Sequence, residues 1–200
     1  MRVIAGSAKG YGLKAPKHLG LRPTPERVKE AIFSSLAARV PGARALDLFA
    51  GTGAFGIEAL SRGAASAVFV EKDGRATALV EENLRKTRLA DRARVLRDDV
   101  RHAIEMLARE EAAFDLVFAD PPYFKPNDAA REEARGERGR PSFSWTRRLL
   151  ESDLLPRLLA PEGLFLLEHF AKDTEVASPF FRASRSLGFG DTRVQIFERA

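Results

Sequence analysis

Two short stretches of this 200-residue sequence carry residue types that could bind a small molecule and act on it. The first runs from Leu46 to Gly56, where an apolar run containing one acid, Asp47, breaks at Gly51 and Gly53 before helical spacing resumes. That order predicts a strand, a tight loop and a helix. Glycines allow positive φ and close approach of a ligand, and a helix start offers N–H groups to it. We therefore predict that Gly51 and Gly53 contact a bound small molecule.

The second stretch is Asp120-Pro121-Pro122-Tyr123, which follows another apolar strand. The exocyclic amine of a base has its lone pair delocalised into the ring. An Asp120 carboxylate and a Pro121 carbonyl could each accept one N–H bond from that amine and direct its lone pair toward an electrophile. Proline fixes φ and removes a competing donor, and Tyr123 could stack on the base. We predict Asp120, Pro121 and Tyr123 as catalytic residues; a plain turn that ends a strand is the alternative.

Acidic residues also follow the other predicted strands. Glu71 lies 20 residues after the first loop glycine, where a carboxylate can accept the hydroxyls of a ribose. The pair Asp98-Asp99 ends a third strand, where one carboxylate could bind an adenine amine and either could cap the next helix. Because the carboxyl ends of parallel strands meet at one sheet edge, we expect four acids there. They are Asp47, Glu71, Asp99 and Asp120.

The glycine spacing alone does not identify the ligand. Gly51, Gly53 and Gly56 also satisfy the dinucleotide pattern G-x-G-x-x-G. However, Asp47 would repel a pyrophosphate and suits a cation that bears an ammonium and a sulfonium. The Asp-Pro-Pro-Tyr stretch has no role in hydride transfer. Together the two stretches resemble S-adenosylmethionine-dependent methyltransferases that act on an amino nitrogen of a base.

The elements that must position these residues follow an α/β order. Thr24 is the predicted N-cap of a helix that ends at Pro41-Gly42 and whose N-terminus approaches the ligand loop, so Thr24 is a candidate cofactor residue. A later helix from Trp145 to Leu158 should bend at Pro156. Periodicity predicts five parallel strands at 45–49, 67–71, 94–97, 114–119 and 164–169, then an antiparallel pair at 182–187 and 192–198. The expected fold is α/β, a mostly parallel seven-stranded sheet preceded by an N-terminal β-hairpin.

Positive charge is concentrated at the N-terminus. Residues 1–44 hold nine Lys or Arg against two Glu, a local charge of +7, so the chain's net +5 leaves −2 for the other 156 residues. Such a block is typical of a polyanion binder, although a basic surface without a partner is the alternative. We predict a basic hairpin extension over residues 1–22 and a catalytic domain over 23–200. The candidate RNA-binding residues are Lys9, Tyr11, Lys14, Arg22 and Arg27.

Composition argues against a membrane, a secreted or a metal-binding protein. Hydrophobic residues make up 44% and charged residues 30% of the chain, as in folded soluble domains. No apolar run approaches the roughly 20 residues that span a bilayer, and the N-terminal apolar run is too short for a secretory signal, so we expect a cytoplasmic protein without membrane partners. There are no cysteines, and the three histidines are scattered, so we expect no metal.

Four stretches carry a resemblance to one family, the small-subunit ribosomal RNA guanine-N2 methyltransferases (RsmD family). They are Arg2–Gly10, Leu21–Phe33, Leu46–Gly53 and Asp120–Pro122. The resemblance implies a Rossmann-like methyltransferase fold, S-adenosylmethionine as donor with S-adenosylhomocysteine as product, and a guanine of 16S rRNA, within an assembling small subunit, as acceptor. It also implies donor contacts for Asp47, Gly51, Glu71 and Asp99, and guanine contacts for Asp120 and Tyr123.

More than one function stays open at this point. The family usually has Phe where this chain has Tyr123, and Asp-Pro-Pro-Tyr is also found in adenine-N6 methyltransferases. An adenine-N6 or other amino-directed DNA or RNA methyltransferase would keep the same donor site. A nucleic-acid-binding module without catalysis and a nicotinamide-dependent oxidoreductase are two further candidates. The charged segment 124–143 has the composition of a loop and is either a mobile lid or a solvated excursion.

Overall fold

Seven strands form one mixed sheet in the computed structural model, which describes residues 1–15, 26–122, 145–171 and 177–200. The strands are β1 Arg44–Asp47, β2 Ser66–Val70, β3 Ala93–Leu96, β4 Phe114–Ala119, β5 Leu159–Phe170, β6 Phe181–Phe189 and β7 Thr192–Arg199. Their order is β3-β2-β1-β4-β5-β7-β6; β1 to β5 are parallel, and β7 pairs antiparallel with both β5 and β6. The predicted fold class is confirmed.

Helices cover both faces of this sheet. The α-helices of the described residues are α1 Glu26–Ser35, α2 Ala54–Ser61, α3 Gly74–Thr87, α4 Val100–Arg109 and α5 Trp145–Leu150, and short 3₁₀ turns occupy Ala37–Arg39, Ala90–Arg92 and Leu155–Leu158. The buried residues of α4 are Val100, Ala103, Ile104 and Leu107, the i, i+3, i+4, i+7 spacing of one helical face. The part of the chain that the structure describes has no helix long and apolar enough to cross a membrane.

The core is divided by the sheet into two layers. Residues of α1, α2 and α3 pack with one set of strand side chains, which includes Phe118 and Ile196. Residues of α4 and α5 pack with the alternate set, which includes Val117 and Phe197. Because successive strand residues point to opposite faces, the central strands are buried on both sides and read as continuous apolar runs.

The segment after residue 144 differs from its prediction. The expected bent helix over 145–158 is wrong: α5 ends at Leu150, and a separate 3₁₀ turn begins at Leu155 with Pro156 in its first turn. The Ser152 hydroxyl accepts the Leu155 N–H at 3.1 Å and helps to start that turn. Proline is favoured at the start of a helical segment because the N–H that it lacks would have no partner there. Pro156 therefore starts a new turn rather than bending an existing helix.

The N-terminal segment forms a minimal antiparallel bridge between Arg2 and Gly12. Val3 N–H donates to Tyr11 O at 3.0 Å, and Leu13 N–H donates to Met1 O at 2.9 Å. Val3 and Leu13 are buried in the layer formed by α1–α3. The predicted boundary at residues 22–23 lies outside the described residues, so the division into two units stays a prediction.

Candidate active site

The loop between β1 and α2 has the backbone that its glycines predict. Gly51 and Gly53 have φ of 53° and 78°, a region that other residues rarely adopt. Gly53 N–H donates to Ala50 O at 2.6 Å, which closes the turn, and Gly53 is the N-cap of α2. Since Gly53 has no side chain, no N-cap side chain competes with a ligand for the first N–H groups of α2.

Asp47 lies at the end of β1 and is only 2% exposed. Its Oδ2 accepts the Gly56 N–H at 3.2 Å, so the carboxyl group holds the first turn of α2 against the sheet. Burial, with a smaller contribution from the nearby Glu71 charge, raises the pKa of Asp47 to about 7. Asp47 thus stabilises the glycine loop through its hydrogen bond with Gly56. Its contact with an ammonium group stays a prediction.

Glu71 connects the loop that follows β1 to the loop that follows β2. Its Oε2 accepts the Gly51 N–H and its Oε1 accepts the Asp73 N–H, both at 2.9 Å. The Ala50 N–H donates to Val70 O at 3.0 Å, so the segment after β1 stays hydrogen-bonded to the end of β2. A carboxylate has about four acceptor positions, so each oxygen keeps capacity for one more donor. This geometry suits the predicted role of Glu71 toward the two hydroxyls of a ribose.

At the end of β3, the structure shows the capping role that the sequence allowed. Asp99 is the N-cap of α4, and its Oδ1 accepts the Arg101 N–H at 3.0 Å and the Arg101 Nε–H at 2.8 Å. The hydrogen bond from the Arg101 side chain lowers the pKa of Asp99. Asp98 accepts the Asp99 N–H at 2.7 Å. A contact between Asp99 and a ligand stays a prediction.

Asp120 directly follows β4, the strand that pairs with β1. Leu48 N–H donates to Phe118 O at 2.9 Å, and Asp120 comes two residues later, with Pro121 buried beside it. In the strand order β3-β2-β1-β4, the four predicted acids therefore lie at or just after the carboxyl ends of four consecutive parallel strands. Tyr123, Thr24, Arg22 and the segment 124–143 lie outside the described residues, so their predicted roles have no structural account.

Sequence reasoning missed Glu168. This acid of β5 is 7% exposed and lines a small pocket that includes Ile32, Phe55, Phe118 and Leu166. One signal was present, because an acid near the end of an apolar strand is unusual. The neighbouring His169 is buried, with its Nδ1 3.0 Å from Phe170 O.

Sequence reasoning also missed Asn83, a fully buried residue of α3. Its Nδ2 donates to Thr52 O at 2.9 Å and Lys14 O at 3.1 Å, while its Oδ1 accepts the Lys14 N–H at 2.8 Å. This amide links the N-terminal segment to the glycine loop. Glu58 of α2 binds the same segment through the N–H groups of Ile4 and Ala5, at 2.9 and 3.1 Å.

The predicted RNA-binding residues have unequal surroundings. Lys9 and Arg27 are exposed, and Tyr11 is 38% exposed. Lys14 is also exposed, but its ammonium forms an ion pair with Glu82. Four more cations of the basic block pair with acids: Arg2 with Glu26, Lys29 with Glu58, Arg39 with Glu162, and Arg44 with Asp115. The described part of the basic block therefore presents less unpaired charge than its composition indicates.

Metal ligands do not cluster in the described ranges, where no group of three or more His, Asp or Glu side chains could hold a metal ion. The absence of a metal from the whole chain stays a prediction.

Comparisons with known proteins agree with this geometry. A family model described as "Conserved hypothetical protein 95" matches residues 1–134. YlbH of Bacillus subtilis is 46% identical over 123 residues, which are 62% of this chain and 67% of that protein. Ribosomal RNA small subunit methyltransferase D of Escherichia coli K12 is 42% identical over 123 residues, which are 62% of this chain and 60% of that enzyme. The matched sequence thus spans three fifths to two thirds of these relatives.

The solved structures extend the likeness to the whole chain. The structure of yhhF from Escherichia coli has a TM-score of 0.76 at 31% identity and covers 100% of this chain and 97% of that one.

Proposed function

The chain belongs to the family described as conserved hypothetical protein 95, and from that membership we propose that it transfers a methyl group from S-adenosylmethionine to N2 of a guanine in 16S rRNA. Its Escherichia coli relative, 42% identical, is named a ribosomal RNA small subunit methyltransferase. The observation that carries the proposal is the adjacency of β1, which leads into the glycine loop, and β4, which leads into Asp120-Pro121. Donor-holding and amine-holding residues then meet at one sheet edge.

The residues of the glycine loop fit the proposed donor. S-adenosylmethionine, when bound, supplies a methyl group on a positively charged sulfur. Gly51 and Gly53 adopt positive φ, which lets the backbone turn tightly at the proposed donor site. Glu71 can accept the ribose hydroxyls with the lone pairs that its two N–H bonds leave available. Asp47 supports the loop and contributes negative charge when ionised.

Asp120 and Pro121 prepare the acceptor amine. The Asp120 carboxylate and the Pro121 carbonyl each accept one N–H bond, which draws the nitrogen toward sp³ geometry and aims its lone pair. This orientation is the main source of rate enhancement that the residues supply, since good placement can lower a barrier by roughly 7–11 kcal/mol. After transfer the amine proton passes to Asp120 or to water. An assembling small subunit is the proposed acceptor particle, which would place the enzyme in the cytoplasm.

Nucleoside mass spectrometry tests this function directly. Small subunits that lack the modification are incubated with enzyme and S-adenosylmethionine, and the RNA is then digested to nucleosides. We expect N2-methylguanosine. N6-methyladenosine would instead support the adenine-directed alternative, and the absence of any methylated nucleoside would contradict a methyltransferase.

Asp120→Ala should separate chemistry from donor binding. We expect turnover to fall by roughly 10³-fold, because the amine loses a positioned acceptor, while the affinity for S-adenosylhomocysteine stays within about twofold. Asp153→Ala removes an exposed acid from the loop before the Leu155 turn and serves as the control. Loss of donor binding together with turnover would show that Asp120 belongs to the donor site.

A further inference from the structure

We propose that Glu168 accepts the ring N1–H of the target guanine and thereby selects guanine over adenine. The inference rests on the proposed function and adds a residue that determines which base is methylated. Glu168 lies in β5, the strand on the far side of β4 from the glycine loop.

Register places Glu168 beside Asp120. Ala119 of β4 pairs with Leu167 of β5, so the next residue of each strand is the other's neighbour. Phe118 and Leu166 both pack in the layer of α1–α3, and alternation directs residues 120 and 168 toward that same side. Parallel strands lie about 4.8 Å apart. The register therefore brings residues 120 and 168 next to each other at the predicted amine site.

Glu168 is buried beside a small apolar pocket and does not lie on a solvated surface. Glu168 is 7% exposed and borders a pocket lined by Phe55, Phe118, Ala119 and Val194. Burying a carboxyl group among apolar side chains costs free energy, which an apolar residue at this position would avoid. We therefore assign the buried carboxyl group, at the edge of this apolar wall, a role in orienting the base.

The chemistry of the two purines determines the selection. In guanine the ring atom next to the reactive amine is N1, which carries a hydrogen. In adenine the corresponding N1 carries a lone pair. With both N2 hydrogens held by Asp120 and Pro121, the N1–H of guanine is left for Glu168 to accept. Adenine would instead place its N1 lone pair against the same carboxylate, and this repulsion disfavours adenine.

Glu168 takes no part in the bond changes of the reaction. The N–CH₃ bond forms as the S–CH₃ bond breaks, and the electron pair of the broken bond stays on sulfur. The proton lost from N2 passes to Asp120 or to water. Glu168 positions the base and exchanges no proton with it in the reaction, so its effect should appear as discrimination between bases.

A base-substituted acceptor RNA tests this role. The target guanine of a 16S rRNA fragment is replaced with 2-aminopurine, which keeps the 2-amine but has an unprotonated N1. We expect the wild-type enzyme to prefer guanine by about 10- to 100-fold in kcat/KM, the range that one good base contact supplies. In Glu168→Gln, the side-chain amide can donate to the unprotonated N1, so the guanine preference should shrink at least tenfold or reverse.

Glu162→Gln is the matched control, because it makes the same change in the same strand at an exposed side chain. It should keep the wild-type preference, and S-adenosylhomocysteine affinity should be unchanged in both variants if the fold is intact. Should Glu168→Gln fail to fold, Glu168→Asp retracts the carboxylate by one methylene and should also lower the preference.

The outcomes separate the two proposals. An unchanged preference in Glu168→Gln, with guanine still methylated, would overturn the role of Glu168 alone. No methylation of guanine by the wild type would overturn the proposed function and this inference with it.

Discussion

Asp47 connects protonation to the stability of the donor loop. Its carboxyl group is buried, accepts the Gly56 N–H, and has a pKa raised by burial from 3.8 to about 7. Between these values the folded protein keeps a proton that the unfolded chain has lost. The free energy of unfolding contributed by this group therefore falls as pH rises from about 4 to 7, by an amount on the order of 4 kcal/mol at most.

Asp47→Asn removes that pH dependence, since an amide does not titrate. The difference in unfolding free energy, variant minus wild type, should increase between pH 5 and pH 8, whatever its value at pH 5. Urea denaturation at both pH values measures the change. Asp73→Asn is the control: N–H bonds from Ala76 and Arg75 lower the pKa of exposed Asp73, so its stability contribution is lost only below about pH 4. If the unfolding free energies of Asp47→Asn and the wild type differed by the same amount at pH 5 and pH 8, the raised pKa of Asp47 would be contradicted.

Residue types at strand ends could be predicted, but their partners could not. The sequence places Glu71 and Asp120 after strands, and the strand order brings them to one edge. Asn83 escaped prediction because its partner Lys14 lies 69 residues earlier, and nothing local distinguishes it from a solvated helix residue. Glu168 escaped for a similar reason, since its meaning depends on the register between β4 and β5.

The third glycine of the pattern, Gly56, lies inside helix α2 and not in the loop. All eight residues of α2 are buried, and a Cβ on Gly56 would lie 2.2 Å from Cε1 of Phe69 in β2. Gly56 is therefore needed for close packing of helix on sheet, whereas Gly51 and Gly53 are needed for backbone conformation. The third glycine of G-x-G-x-x-G thus has the same packing role here as in dinucleotide-binding folds, and its presence does not identify the ligand.

Gly56→Ala should destabilise the protein by about 1–3 kcal/mol through overpacking against Phe69. Phe69→Leu leaves room for the added methyl group, so the double variant should lose less stability than the sum of the two single variants. Gly188→Ala in β6 is the control, because nothing lies within 4 Å of a Cβ there. Urea unfolding of the four variants and the wild type measures these differences. Strict additivity of Gly56→Ala and Phe69→Leu would rule out the proposed contact.

Elements with strong periodicity could be predicted from sequence, and elements defined by tertiary contacts could not. The predicted strand at 114–119 matches β4, because a run of apolar residues bounded by polar ones is buried on both faces. The segment 151–158 was mispredicted, since its spaced leucines satisfy a helical pattern while Ser152 and Pro156 start a new turn. Similarly, β5 begins at Leu159, five residues before its predicted start, where it pairs with Phe114 across a register shift.

At the scale of the whole molecule, folding redistributes the N-terminal charge. The sequence predicted a local +7 over residues 1–44, but cations of this block pair with acids beyond it, including Glu82, Asp115 and Glu162. Lys29 is fully buried against Glu58 and serves the core rather than a surface. The described cations that can release counterions on binding a polyanion are thus fewer than composition indicates, and Lys9 and Arg27 are foremost among them.

Salt dependence of RNA binding measures how many of these cations contact phosphate. Removing one phosphate contact should reduce the slope of log K against log salt by roughly 0.7–0.9, so Lys9→Ala with Arg27→Ala should reduce it by about 1.6. Arg109→Ala removes an exposed cation from the C-terminal end of α4, where helices point away from the strand ends, and should leave the slope unchanged. Filter binding from about 50 to 300 mM salt distinguishes the variants. Equal slopes for the double variant and the wild type would mean that Lys9 and Arg27 do not contact phosphate.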